Sequence, residues 1–181
     1  MNDIKDINLA KSGKDKIDWV RSYMPVLSRI EQEFIKTKPF AGMKIAMSIH
    51  LEAKTAYLAH VLRAGGARVV MTGCNPLSTQ DDVAAAMATD PAGFEVYARH
   101  GVSDAEYEEH LKQTLSCHPD LIIDDGGDLI ALLHGACREY GDRLIGGCEY
   151  PSSFPRSRRS VGRRIRGKRR EGGRSGRRRR R

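Results

Sequence analysis

Leu121-Ile122-Ile123 is an apolar run of strand length that stops abruptly in Asp124-Asp125-Gly126-Gly127-Asp128. A strand apolar at every position, rather than at alternate ones, has to be covered on both faces, which a helix-flanked parallel sheet provides. In such sheets ligands gather in the crevice beyond the carboxyl ends of the strands. Asp124 and Asp125 are expected at that rim. Two adjacent acids repel each other, so at least one calls for a donor, a cation or a substrate. The same residues are also ordinary turn and capping chemistry before a helix.

The rest of the chain repeats the pattern. Apolar residues at helical spacing (Ile17, Val20, Met24, Leu27, Ile30, Phe34) predict an amphipathic helix over Lys14–Ile35, with an interruption before Pro25. A breaker-rich turn, 36–42, precedes a strand over Met43–Ile49 that ends at His50. Residues 53–64 return to helical period and stop at Gly65-Gly66. A second strand, Ala67–Thr72, ends at Gly73-Cys74-Asn75-Pro76, and Ser78-Thr79-Gln80-Asp81 reads as the N-cap and first turn of a helix through Ala88. Phe94–Ala98 is a third short strand. Ser103 and Glu106 have the spacing of a capping box opening a helix to about Cys117. After the central strand, Leu129–Tyr140 is expected to be helical, and Arg143–Gly147 to form a fifth strand stopping at Cys148-Glu149.

Five strands alternating with helices imply an α/β fold with a parallel sheet flanked by helices. His50, Asn75, Asp125 and Glu149 then collect at one carboxyl edge, as a small-molecule site needs.

Charge divides the chain. Residues 151–181 hold 15 of the 31 basic residues and one of the 23 acidic ones, leaving net −6 for 1–150 against +14 for the remainder. Two regions follow: an α/β domain over 1–150 and a basic tail over 151–181. With 14 arginines, repeated Gly and Ser and few aliphatic residues, the tail is expected to be disordered and to bind nucleic acid or other polyanions nonspecifically. So sharp a break also fits translation of a shifted reading frame. No apolar run is long enough to span a bilayer and the start lacks a signal-peptide core, so a cytoplasmic protein is expected. Cys74, Cys117, Cys137 and Cys148 include no C-x-x-C pair, which suggests buried reduced thiols and no metal knuckle.

Three segments carry a resemblance: Ser48-Ile49-His50-Leu51-Glu52-Ala53-Lys54-Thr55-Ala56, residues 74–86 from Cys74-Asn75-Pro76-Leu77-Ser78-Thr79-Gln80, and Ile123-Asp124-Asp125-Gly126-Gly127-Asp128-Leu129. In this order they resemble the S-adenosyl-L-homocysteine hydrolase family over about residues 6–149, the first part of its Rossmann-like substrate domain. The resemblance implies that bound NAD oxidises the substrate's 3′-hydroxyl so that homocysteine can leave by elimination. It places His50 and Asp125 as the acid/base pair near the leaving sulfur, and Asn75, Ser78, Thr79, Gln80 and Glu149 around the substrate. A His near neutral pH and a perturbed Asp can share that proton transfer.

Two departures qualify it. The family's usual His-x-Thr-x-Glu is here His50-Leu51-Glu52-Ala53-Lys54. A Lys only donates, so Lys54 to the carbonyl oxygen of hypoxanthine and Glu52 to its N1–H suit an inosyl substrate better than an adenosyl one. This pair resembles the S-inosyl-L-homocysteine hydrolase subgroup; decoration of a first helical turn is the alternative. The second departure is Glu149-Tyr150-Pro151, where the family has Glu-Glu-Thr. Beyond it the resemblance stops, and no G-x-G-x-x-G follows a strand. Three outcomes are therefore expected: no NAD-binding domain, no activity alone, and no retention of the family's homo-oligomer. A non-catalytic module binding a nucleoside or nucleic acid is the other reading.

Overall fold

The computed structural model describes residues 2–150. The tail expected over 151–181 lies outside the described residues.

Helix α1 (Ala10–Ser22) buries Ile17 and Val20, and α2 (Pro25–Thr37) follows after a two-residue break. Pro25 takes the first position of α2. Its ring disfavours helical backbone at Met24 but suits a helix start, which splits the predicted helix where expected. Strand β1 (Lys44–Ser48), helix α3 (Ala53–Ala64), strand β2 (Arg68–Thr72) and helix α4 (Asp81–Ala88) come next. Then come β3 (Glu95–Val96), α5 (Asp104–Leu115), β4 (Leu121–Asp125), α6 (Asp128–His134) and β5 (Gly146–Tyr150). The capping box forms: the Ser103 hydroxyl accepts from the Glu106 N–H while the Glu106 carboxylate accepts from the Ser103 N–H.

All strand pairs are parallel, in the order β3-β2-β1-β4-β5. The chain winds outward from β1 through β2 to β3, then returns to place β4 on the other side of β1. Alternate residues divide the core accordingly. Ile45, Met47, Val69 and Met71 pack with α1, α3 and α4 on one face. Ala46 and Ile122 pack with Leu111, Leu115, Leu129 and Leu133 of α5 and α6 on the other. Each large apolar side chain removed from water in these layers contributes about 1.5–3 kcal/mol before conformational entropy is set against it.

Four local expectations are corrected. Strand β3 is two residues long, shorter than Phe94–Ala98. The helix expected to reach Tyr140 ends at His134, followed by a 3-10 turn over Arg138–Gly141. Strand β5 starts at Gly146, three residues later than Arg143, so Glu149 lies within the strand. Asp120 anchors the approach to the strand: its carboxylate accepts from the Arg143 guanidinium at 3.1 Å and its carbonyl from the Ile145 N–H at 2.8 Å, so that pairing with β4 begins at Gly146. Finally, the N-cap of α4 is Gln80 with no side-chain cap, because the Ser78 hydroxyl is engaged elsewhere. Among the described residues no helix is long and apolar enough to cross a membrane.

Candidate functional site

The carboxyl ends of β1, β2 and β4 meet at the centre of the sheet. Ser48, Thr72 and Asp124 sit in register there, all buried. Each strand then releases one reactive side chain into the rim: His50 after β1, Cys74 after β2, and Asp125 at the last residue of β4. His50 Nδ1 lies 3.3 Å from Asp125 Oδ2. Cys74 Sγ lies 3.4 Å from the same nitrogen and 3.5 Å from the same oxygen. The His50 side chain is 62% exposed and that of Asp125 10%, so the group opens to solvent on the imidazole side. Burial pushes the Cys74 thiol up to about 11, opposed by the Ser78 hydroxyl and reinforced by the Asp125 charge.

Asp124 points away from the rim into the layer beneath. Its Oδ2 accepts from the Ile130 N–H at 3.1 Å, while Oδ1 has no partner among the described residues. Burial raises this carboxyl to about 6; the Ile130 N–H opposes the rise, and the Asp128 and Glu149 charges add to it. Gly126 and Gly127 turn the chain from β4 into α6 with φ of +96° and +81°, left-handed backbone that side chains resist.

The loop after β2 is held by Ser78. Its hydroxyl accepts from the N–H groups of Cys74 (2.9 Å) and Asn75 (3.1 Å) and donates to the Asn75 carbonyl (2.9 Å). The Asn75 side-chain oxygen accepts from the Leu77 N–H, and its amide donates to Cys74 Sγ at 3.8 Å. Leu51 and Thr79 bridge the loops after β1 and β2. Between them lies a cavity of about 370 Å³ lined by His50, Glu52, Leu77, Ser78, Thr79, Gln80 and His100. Glu52 and Gln80 also line a neighbouring groove of about 970 Å³ under α1, where Lys54 and Trp19 join them. Glu52 occupies the N-cap position of α3 without a side-chain capping bond, and its carboxylate lies 3.8 Å from Lys54 Nζ.

The structure thus brings together His50 with Asp125, and Ser78, Thr79, Gln80 and Glu52 around one cavity, with Lys54 on the adjoining groove. Glu149 stands apart: it is exposed on β5 beside the Gly127 turn and lines neither space. Sequence reasoning missed Cys74 and His100 as rim residues. The signal for Cys74 was present, since it opens the loop at the end of an apolar strand just as His50 follows one. His100 is brought in by its Nδ1 contact, 3.2 Å, with the Thr79 carbonyl, which no local pattern encodes.

An open α/β sheet wound outward from its centre in both directions, with a His, a Cys and an Asp gathered at the switch between halves, defines a protein of the doubly wound, carboxyl-edge-site class. The sequence places it more narrowly. The S-adenosyl-L-homocysteine hydrolase family matches residues 2–151, and the chain belongs to that family. It is 54% identical over 149 residues to an S-inosyl-L-homocysteine hydrolase of Methanococcus maripaludis, covering 82% of this chain and 35% of that protein. It is 49% identical over 146 residues to an adenosylhomocysteinase of Pyrococcus abyssi, covering 81% and 34%, and 50% identical over 135 residues to one of Thermotoga maritima, covering 75% and 33%. The chain spans about a third of the length of these curated relatives.

Proposed function

We propose that residues 2–150 form the leaving-group and base-binding side of a hydrolase site for S-inosyl- or S-adenosyl-L-homocysteine, with the inosyl substrate favoured. The observation that carries the reading is the His50–Asp125 pair, 3.3 Å apart across the two strands flanking the switch point. An imidazole backed by a carboxylate can hold a proton at the position a thiolate leaves from and take it back when water adds. Asn75, Ser78, Thr79 and Gln80 border the sugar-to-base path, with Ser78 acting through the loop it holds. Glu149 is assigned to the same substrate from the β5 side.

Glu52 and Lys54 present one acceptor and one donor 3.8 Å apart, close enough to address adjacent atoms of one base edge. Lys54 stands where the family's Glu faces the exocyclic group of the base, so the carbonyl oxygen of hypoxanthine can accept from it and leave N1–H to Glu52, whereas the adenine amino group would set donor against donor. The Methanococcus relative, an S-inosyl-L-homocysteine hydrolase, favours the same choice. The turns after β1, β2 and β4 carry no three-glycine fingerprint of the kind that seats NAD, the group that in the family supplies oxidation at C3′. The chain alone is expected to release no homocysteine.

The test is calorimetric titration of the purified chain with S-inosyl- and S-adenosyl-homocysteine, paired with a coupled assay for free homocysteine with and without NAD. The expected result is weak binding with the inosyl compound preferred by about tenfold, well short of what an enclosed polar site reaches. That preference should reverse in Glu52→Thr/Lys54→Glu. Equal binding of both compounds by both proteins overturns the base assignment, and turnover overturns the expected inactivity.

A further inference from the structure

We infer that His50 Nδ1, Cys74 Sγ and Asp125 Oδ2 form a binding site for one soft or borderline divalent cation, of which Zn²⁺ is the best match. The three atoms make a nearly equilateral triangle with sides of 3.3, 3.4 and 3.5 Å. Ligand lengths of about 2.0–2.1 Å to nitrogen and oxygen and 2.3 Å to sulfur, at tetrahedral angles, give edges of about 3.3–3.4 Å between N and O and 3.5–3.6 Å from sulfur to either. The rim has the dimensions of one face of a zinc tetrahedron.

Hydrogen bonding alone accounts for the triangle less well. An ionised Asp is acceptor-only, so the three edges share at most two protons, from the thiol and from Nδ1. With both protons directed at Asp125, the sulfur–nitrogen edge is left without a hydrogen bond of its own. The His–Asp separation of 3.3 Å is also long beside the roughly 2.7–2.9 Å of a charge-assisted N–H···O bond. A cation satisfies all three edges at once.

Two further observations point the same way. Asp125 Oδ1 is buried without a partner among the described residues, leaving spare acceptor capacity on the carboxylate. The Asn75 amide donates to Cys74 Sγ, supplying the outer-shell hydrogen bond that a ligating sulfur carries. Charge balances too: thiolate, carboxylate and neutral imidazole around a dication make a neutral centre, and the Cys74 proton passes to buffer on binding. The exposed imidazole side leaves the fourth position open to water or an incoming thiol, the arrangement of an exchangeable site. A thiolate–imidazole set is wrong for Mg²⁺ or Ca²⁺, which take oxygen.

Co²⁺, an optical stand-in for Zn²⁺, tests this on the full chain kept reduced with a non-thiol phosphine. The expected result is a thiolate-to-cobalt charge-transfer absorption that saturates at one equivalent and is bleached by one equivalent of Zn²⁺. Cys74→Ser should abolish the band and Cys148→Ser, which changes the exposed cysteine, should leave it intact. His50→Gln, in an exposed loop where folding tolerates change, should weaken Co²⁺ binding at least tenfold, the lower end of what loss of even an outer-shell partner costs. No saturable band, a band that survives Cys74→Ser, one lost in Cys148→Ser, or full affinity in His50→Gln overturns the site.

Discussion

Asp124 should make the fold less stable as pH rises. Its carboxyl titrates at about 6 in the folded protein, against an ordinary value of 3.8. A group whose folded pKa is raised contributes stability that is fully present below the unfolded value and lost as pH climbs through the folded one. At 1.36 kcal/mol per pKa unit the whole effect is at most about 3 kcal/mol, of which roughly 2.5 falls between pH 4 and 7. Asp124→Asn keeps an acceptor for the Ile130 N–H and removes the ionisation. Urea unfolding of both proteins at a series of pH values isolates the effect. Asp82 and Asp120, whose shifts have other causes, titrate alike in both and cancel in the difference. The stability of Asp124→Asn relative to the unaltered chain should rise by about 2–2.5 kcal/mol between pH 4 and 7. A difference that stays flat across that window refutes the claim that Asp124 is forced to ionise in a buried place.

Two substitutions test packing around the site. Gly13→Ala, in the interior of α1, would by helix propensity gain about 1 kcal/mol, but the added Cβ meets the Asp82 carbonyl and the Val83 nitrogen where α4 begins. Backbone cannot yield as a side chain does, so a net loss of about 1–3 kcal/mol is expected; a higher melting temperature contradicts it. Ser78→Ala strands the Cys74 and Asn75 N–H groups, and with burial of the hydroxyl it should cost about 2 kcal/mol in denaturant unfolding. Hydrogen exchange at those two amides should quicken while the β1 amides stay protected.

What the sequence made legible follows from how local each cause is. Strands β1, β2 and β4 are apolar at successive positions and bounded by turn residues, so their places and their parallel burial could be read directly. The start of β5 could not: its approach is anchored by the Asp120–Arg143 contact, 23 residues apart. Ser78 shows competition between two local roles, since the same hydroxyl that resembles a helix cap closes the preceding loop instead. His50 and Asp125 were legible through motif and strand position together. Their meeting with Cys74 was not, because no ligand spacing exists along the chain for groups delivered by three separate strands.

The strand order also sets when the rim comes into being. Pairing of β1 with β2 joins Lys44 to Arg68, whereas pairing of β1 with β4 joins Ile45 to Leu121, a loop about three times longer whose closure costs roughly 1 kcal/mol more. A chain emerging from the ribosome can therefore assemble His50 and Cys74 while Asp125 has still to arrive. Whatever bridges the imidazole and the carboxylate acts as a clasp on that last closure, stabilising the completed sheet by RT ln(1 + [L]/Kd) and leaving the half-built one untouched. A ligand held at the rim would then favour completion of the sheet over the half-built state.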